Sequence, residues 1–249
     1  MPDLIIKLVI PARNEEDAIG IVVKSVVDQV DTVVVADNGS TDTTADTARD
    51  AGAIVVSVPE PGYGRACLAA IEAAGEHDIL VFMDGDASDD PDDLPTLLAP
   101  ILSDEADMVI GSRILGDCDP GSLTVQQRFG NTLACKLMHM FWGHKFTDLG
   151  PFRAIRKTSY DALNMKAPTF GWTVEMQVRA LKHGLRCTEV PVHYRKRIGV
   201  SKISGTIKGV ILAGWYILGT IFLEAVRGKK TSPDKVVRVK GCSILQDSE

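Results

Sequence analysis

Asp84 and Asp86 close the apolar run Ile79-Leu-Val-Phe-Met83, and their types and spacing carry the clearest chemistry in the chain. The run reads as a buried strand, with the first carboxylate at the strand end and the second just past the turn. Two carboxylates so placed suit a hard divalent cation that keeps some waters and takes its remaining ligands from diphosphate oxygens. The acids that follow, Asp89, Asp90, Asp92 and Asp93, read instead as a solvated helix N-terminus, where negative side chains favour the dipole. Two further polar clusters end apolar runs: Pro11-Ala-Arg13-Asn-Glu15 and Asp37-Asn-Gly-Ser-Thr-Asp42. Ligands of an open parallel sheet bind beyond the carboxyl ends of its strands. Three such ends meeting on one edge form a single polar site, whose acids cannot all stay ionised together without a cation.

The elements that must position these residues are legible as an alternation of β-branched runs and helical patterns. Strands are expected at Ile5–Ile10, Thr32–Ala36, Ala53–Val58, Ile79–Met83 and Met108–Ile110. Helices are expected at Glu16–Val30, Thr43–Ala51, Arg65–Ala74 and Asp92–Leu102. Asn14 is placed to cap the first helix and Ser40 the second, and Asp90-Pro91 sets a cap with proline in the first turn. The pattern predicts an α/β fold, a mostly parallel sheet sandwiched by crossover helices. Past residue 112 the alternation weakens, leaving helices at Val125–Met140 and Thr173–His183 and a strand at Arg186–Val192. No internal repeat is present.

The composition excludes collagen-like, disordered and disulfide-scaffold classes: 45% of the 249 residues are hydrophobic and 24% charged. Five cysteines (Cys67, Cys118, Cys135, Cys187, Cys242) stand far apart with no CxxC pair and no zinc-type spacing, which reads as reduced thiols in the cytoplasm. The start, MPDLIIKLVIPARNEE, is too short in apolar residues for a signal peptide or a span. The net charge of −6 is unevenly spread. Residues 1–192 hold 16 Lys and Arg against 29 Asp and Glu, whereas residues 193–241 hold 11 against 2. That basic stretch surrounds the uncharged segment from Gly209 to Leu223. Its 15 residues would span about 22 Å as a helix, short of a hydrocarbon core of about 30 Å. The expectation is an apolar helix over 206–228 lying on or dipping into an anionic membrane face, the alternative being a buried core helix. A flexible basic tail is expected over 229–249. Nucleic acid is not an expected partner, because the basic region lacks interleaved aromatics and the body is acidic.

The segments VIPARNEE, VVADNGSTDTT, Gly62-Tyr-Gly64-Arg-Ala, FMDGDASDDP, Gly111-Ser-Arg113, DLGPFRAI and Ser201-Lys202 occur in that order. In this combination the chain resembles family 2 glycosyltransferases of the GT-A fold, nearest to the dolichol- or polyprenyl-phosphate hexose synthases, over about residues 4–205 (the catalytic domain being set at 1–205). The resemblance implies that Pro11, Arg13, Glu15, Asp37 and Gly64 contact the nucleotide sugar and that Asp84 and Asp86 hold Mg²⁺ or Mn²⁺. It implies that Ser201 and Lys202 close over the donor diphosphate and that Arg113 and Arg128 meet an acceptor phosphate. It further implies inverting transfer of a hexose, mannose or glucose, to a polyprenyl phosphate at the inner face of the membrane. A soluble acceptor hydroxyl would instead require a general base, for which Glu175 is the candidate. Two departures concern sugar and acceptor: Asp148 is followed by Leu-Gly-Pro-Phe-Arg153 rather than Thr-Ser-Gly-Phe-Arg, and Ser88 stands where Gln is common. The rival classes are a non-catalytic nucleotide-binding partner and a haloacid-dehalogenase-type phosphatase, whose DxD strand would lie near the N-terminus. A dinucleotide oxidoreductase lacks its GxGxxG here.

Overall fold

The computed structural model describes residues 4–199 and 207–228. Seven strands form one sheet in the order β3-β2-β1-β4-β6-β5-β7. They are β1 (Ile6–Ala12), β2 (Thr32–Asp37), β3 (Ile54–Ser57), β4 (Ile79–Phe82), β5 (Met108–Ser112), β6 (Arg153–Arg156) and β7 (Cys187–Pro191). All pairings are parallel except those of β6, which runs antiparallel between β4 and β5. The continuous apolar runs of the central strands follow from burial on both sheet faces. Val9, Val34, Leu80 and Phe82 face one core layer, built with α3 (Tyr63–Ala74), α5 (Val125–Trp142) and α7 (Trp172–Lys182). Leu8, Ile10, Val33, Val35, Ile79 and Val81 face the other, built with α1 (Ile19–Val26), α2 (Thr44–Asp50) and α4 (Leu94–Leu102). Phe82 and the fully buried Trp172 meet edge-on, ring centroids 4.9 Å apart.

Every expected strand is present, with ends moved by one or two residues. Two elements were not anticipated: β6, and α6 (Lys157–Leu163) directly after it. The strand sequence, Arg-Ala-Ile-Arg, opens and closes on a charge and shows no strand signature. Arg153 is nonetheless fully buried, because the carbonyls of Leu149, Gly150 and Thr173 accept from its guanidinium. The first helix is shorter than expected and carries no side-chain cap. Asn14, at φ 51°, and Ser40 do not cap: the Asn14 N–H donates to Ser40 Oγ at 2.9 Å, and Asn14 Oδ1 accepts from Thr41 N at 2.8 Å. These two residues instead bind the loops after β1 and β2 to each other. Asp90 caps as expected, accepting from Asp92 N ahead of the short 3-10 turn Pro91–Asp93.

The last described helix, α8 (Ile207–Val226), packs on α5 and α7. Ile217, Ile221 and Glu224, spaced i, i+4 and i+7, form its docked stripe. The buried Glu224 carboxylate pairs with Lys182 at 2.7 Å and Arg179 at 3.4 Å. Among the described residues no helix is long and apolar enough to cross a membrane. The expected tail over 229–249 lies outside the described residues.

Gly64, in the first turn of α3, lies directly beneath the loop that leads into α7. A Cβ there would stand 1.9 Å from the Ala167 carbonyl oxygen and 2.9 Å from Cδ1 of Trp172. Backbone cannot give way as a flexible side-chain end can, so Gly64→Ala should destabilise the fold by about 1–3 kcal/mol. Urea unfolding should show a lower midpoint at unchanged slope; an unchanged midpoint contradicts this packing.

Candidate active site

The chain builds β1, β2 and β3 outward in one direction and then returns to place β4 on the other side of β1. The order of strands therefore reverses between β1 and β4, the position where an open α/β sheet leaves a crevice for ligand. A cavity of about 390 Å³ occupies it. Pro11, Arg13 and Glu15 line it from the end of β1, Asn38 from β2, and Asp84 and Asp86 from β4. Tyr63 of α3, Thr169 and Phe170 before α7, Arg197, and Leu212 and Tyr216 of α8 complete the wall.

Most of the expected donor-site residues are thus brought together, with two shifts. Asp37 is not among the lining residues; its Oδ1 accepts from Ser40 N at 3.1 Å, shaping the loop beneath. Its neighbour Asn38 faces the cavity and ties down the segment before α3, donating to the carbonyls of Val58 and Glu60 and accepting from Gly62 N at 2.8 Å. Gly64 supports the wall through the close packing described above and does not line it. Ser201 and Lys202 lie outside the described residues.

Acidic crowding dominates the electrostatics. Burial, and then the neighbouring Asp86, raise the Asp84 carboxyl to about 7. Tyr63 Oη donates to Asp84 Oδ1 at 3.3 Å. Asp86 Oδ1 accepts from both the backbone N–H and the hydroxyl of Ser88, so Ser88 faces inward to the loop. Asp89 corrects the expectation of a solvated acidic terminus: it is 4% exposed, accepts from Asp84 N at 3.0 Å, and is pushed well up by burial and then by Asp84. Its Oδ1 finds no hydrogen-bond partner among the described residues. Asp90 is buried as well and pairs with Arg195 at 2.6 Å, while Asp92 alone of the run is exposed. Ala87 holds φ 62°, a left-handed turn that an alanine rarely adopts, at the bend between Asp86 and Ser88.

This donor set fits a divalent cation. Two carboxylates share one cavity under like-charge strain that a dication relieves. Among the described residues no cluster of three or more His, Cys, Asp or Glu is arranged to hold a metal. Protein carboxylates would therefore supply part of the coordination, leaving positions for water and phosphate oxygens, as is usual for Mg²⁺.

The expected acceptor and base residues divide three ways. Arg113 is held in a two-point fork by the fully buried Asp148, Nε to Oδ2 and Nη2 to Oδ1 both at 2.8 Å, and stacks 5.0 Å from the Tyr194 ring centroid. Arg128 is exposed on the first turn of α5 and is not part of the cavity lining. Glu175 does not fit the role of base. It is buried away from the cavity lining, its Oε2 accepts from Lys166 N at 3.0 Å and Ala167 N at 2.7 Å, and its Oε1 pairs with Arg179. A carboxylate so occupied braces the loop carrying Thr169 and Phe170.

Sequence reasoning missed Arg197 and the strap that carries it. Residues 193–198 run along the aspartate loop: His193 N donates to Asp93 Oδ2, Arg195 N to the Ser88 carbonyl, and Ile198 N to the Asp86 carbonyl at 2.9 Å. Arg197 bridges Glu15 and Asp86, each at 3.0 Å. The only signal was the Arg195-Lys-Arg197 triplet, which read as part of the basic membrane-facing stretch.

A family profile described as Glycosyl transferase family 2 matches residues 7–163. The chain belongs to glycosyltransferase family 2. The transferase is 34% identical over 224 residues to "Glycosyltransferase AglJ" of Haloferax volcanii, covering 89% of this chain and 71% of that one. It is 31% identical over 216 residues to "Undecaprenyl-phosphate mannosyltransferase" of Micrococcus luteus, covering 81% and 88%. Its fold matches glucosyl-3-phosphoglycerate synthase from Mycobacterium tuberculosis, solved with Mn²⁺, uridine diphosphate and phosphoglyceric acid. That match has TM-score 0.71 and 25% identity over 90% of this chain and 79% of that one. The sheet and its helices are those of the GT-A fold that the motifs led us to expect.

The strap of the transferase is fastened by His193, whose ring nitrogens face Asp90 at 3.2 Å and Asp119 at 3.1 Å. The hydrogen bond to Asp90 first, and then Asp119, raise its pKa above 6.5. A raised folded value means the clamp is fully present below the unfolded pKa and is lost as pH rises through the raised one. NMR titration of the His193 ring should give a pKa above 6.5, lowered by Asp90→Asn; a value at or below 6.5 in the unmodified chain contradicts the clamp.

Proposed function

We propose that the transferase moves a hexose from a nucleotide diphosphate sugar to a polyprenyl phosphate presented at the inner membrane face, with inversion at the anomeric carbon. One observation carries this reading: the cavity holding Asp84 and Asp86 is walled by α8, and the outer face of α8 is apolar and exposed. Trp215 is 76% exposed and Val226 86%, with Phe222 and Leu223 between them. On the neighbouring α5, Val125 and Phe129 are 79% and 70% exposed, and Phe141 touches Phe222 edge-on at 5.9 Å. Exposed aromatic and aliphatic side chains gathered on two contacting helices mark an interaction surface. In this reading the 206–228 segment is the interfacial helix and 1–205 the catalytic domain. The name of the Micrococcus relative supports such an acceptor, and that of the mycobacterial synthase supports a soluble one.

Breaking the sugar–phosphate bond gathers negative charge on the departing diphosphate. A divalent cation on Asp84 and Asp86, Mg²⁺ or Mn²⁺, would supply the stabilisation of that charge. Pro11, Arg13 and Glu15 orient the nucleotide against the end of β1, and Tyr63 holds Asp84 in place. The family resemblance assigns Ser201 and Lys202 to the same diphosphate. Arg113, fixed by Asp148 and close enough to lower the Asp84 carboxyl, and Arg128, beside the exposed Phe129, are the cations offered to the acceptor phosphate. A phosphate monoester has its second pKa at about 6 and is already largely ionised, so no carboxylate base is required. This agrees with the occupation of Glu175 elsewhere.

The test uses radiolabelled nucleotide sugar with polyprenyl phosphate in anionic vesicles. Label should pass into organic solvent, and Trp215→Glu together with Phe129→Glu should cut that rate by about tenfold or more by weakening surface binding. Label that stays wholly in water, with a polar acceptor consumed, overturns the lipid acceptor.

A further inference from the structure

Arg197 occupies a position with a consequence for how the metal site fills. Asp86 has two carboxylate oxygens. Oδ1 is taken by the backbone N–H and hydroxyl of Ser88, and Oδ2 faces Nη1 of Arg197 at 3.0 Å. The same guanidinium reaches Glu15 Oε1 through Nη2 at 3.0 Å, so it spans the ends of β4 and β1. The backbone beside it is pinned by the Ile198 N to Asp86 carbonyl bond, while the Arg197 side chain is 28% exposed and lines the cavity. The head group can therefore swing into the cavity without the strap leaving its place. A dication and a guanidinium repel each other, and a cation drawing on Asp86 at bonding distance must meet the charge of Arg197 next to the same oxygen.

We infer that Arg197 and the divalent cation compete for Asp86, so that the guanidinium masks the metal site until a donor diphosphate draws it into the cavity. The inference rests on Asp84 and Asp86 being the metal ligands. A diphosphate is a strong partner for an arginine fork, so donor arrival removes the competitor and supplies the missing cation ligands in one event. Metal and nucleotide then bind with positive coupling, which is reciprocal by linkage. The arrangement weakens binding of the cation alone relative to binding with nucleotide.

The experiment is Mn²⁺ titration by calorimetry, without and with saturating nucleoside diphosphate, with both UDP and GDP tried as probes. Arg197→Gln should bind Mn²⁺ alone about two- to fivefold more tightly than the unmodified enzyme, the range expected for loss of a partly exposed ion pair. The advantage should disappear when the nucleotide is present. Arg195→Gln removes a nearby charge that pairs with Asp90 and not with Asp86, and should change Mn²⁺ affinity by less than about twofold. Equal or weaker Mn²⁺ binding in Arg197→Gln, or equal tightening in Arg195→Gln, overturns the competition. Arg197→Lys keeps the charge but cannot span both carboxylates, so it should fall between the unmodified enzyme and the glutamine variant. Should the glutamine variant fail to fold, tightening in the lysine variant supports the inference and its absence overturns it. Asp86→Asn separates the two layers. Undiminished Mn²⁺ binding there refutes the metal site itself, whereas loss of binding there with no gain in Arg197→Gln refutes only the masking.

Discussion

Three carboxylates, Asp84, Asp86 and Asp89, are gathered within six residues at the end of β4 and mostly withdrawn from water, and the surrounding structure answers to that constraint. Burial and mutual repulsion favour the protonated form, which is why Asp84 sits at about 7 and Asp89 well above the carboxylate range. The compensation comes from every side. Arg197 reaches in from the strap, Arg113 lowers Asp84 from the end of β5, and Tyr63 donates from α3. Arg113 in turn needs its own counterion, and the fully buried Asp148 supplies it. Behind Asp148 stands Glu189 on β7, raised to about 7 by burial, whose oxygens accept from Thr147 N and Asp148 N. One ion pair, Arg113–Asp148, and the backbone N–H bonds that Glu189 accepts thus connect the sheet edge at β7 to the neighbourhood of the site over β4.

The scaffold makes that concentration tolerable by tying the loops to one another. The loop after β1 is bound to the loop after β2 through Asn14 and Ser40, and the Glu15 N–H donates to Thr44 Oγ1 at 2.8 Å. Asn38 bridges onward to the segment before α3. Glu175 and Gly64 then hold the Ala167 loop over the cavity, one by accepting its backbone N–H groups and the other by leaving room for its carbonyl. A site held so closely from several strand ends is pre-organised before substrate arrives, and electrostatic catalysis depends on that.

The parallel half of the sheet was legible because its strands are buried on both faces and therefore read as unbroken apolar runs, each ending in a polar cluster. From those ends alone Asp84, Asp86, Glu15 and Arg13 could be assigned to one site. The antiparallel β6 was not legible, since Arg-Ala-Ile-Arg has no strand periodicity and the burial of Arg153 depends on a turn of irregular backbone at Leu149 and Gly150 and on the carbonyl of Thr173, 20 residues away. Asn14 and Ser40 were misread as caps because local spacing cannot reveal a partner 26 residues away. Asp89 was misread as solvated because nothing in DGDASDDPDD shows that Tyr194 will pair across it. Arg197 and His193 stayed hidden for the same reason: their partners are 111 and 103 positions distant. Long-range ion pairs leave no local pattern, and this is where sequence reasoning stopped.

The proposed transfer requires a cation held by the β4 aspartates while a diphosphate leaves. The most direct measurement is nucleoside diphosphate release from a panel of nucleotide sugars, followed with Mg²⁺ or Mn²⁺ and with chelator, in the unmodified enzyme and in Asp84→Asn. Release should depend on the cation and fall by about a hundredfold or more in the variant, the scale on which preorganised electrostatic stabilisation acts. Full turnover in chelator, or undiminished turnover in Asp84→Asn, would contradict that requirement.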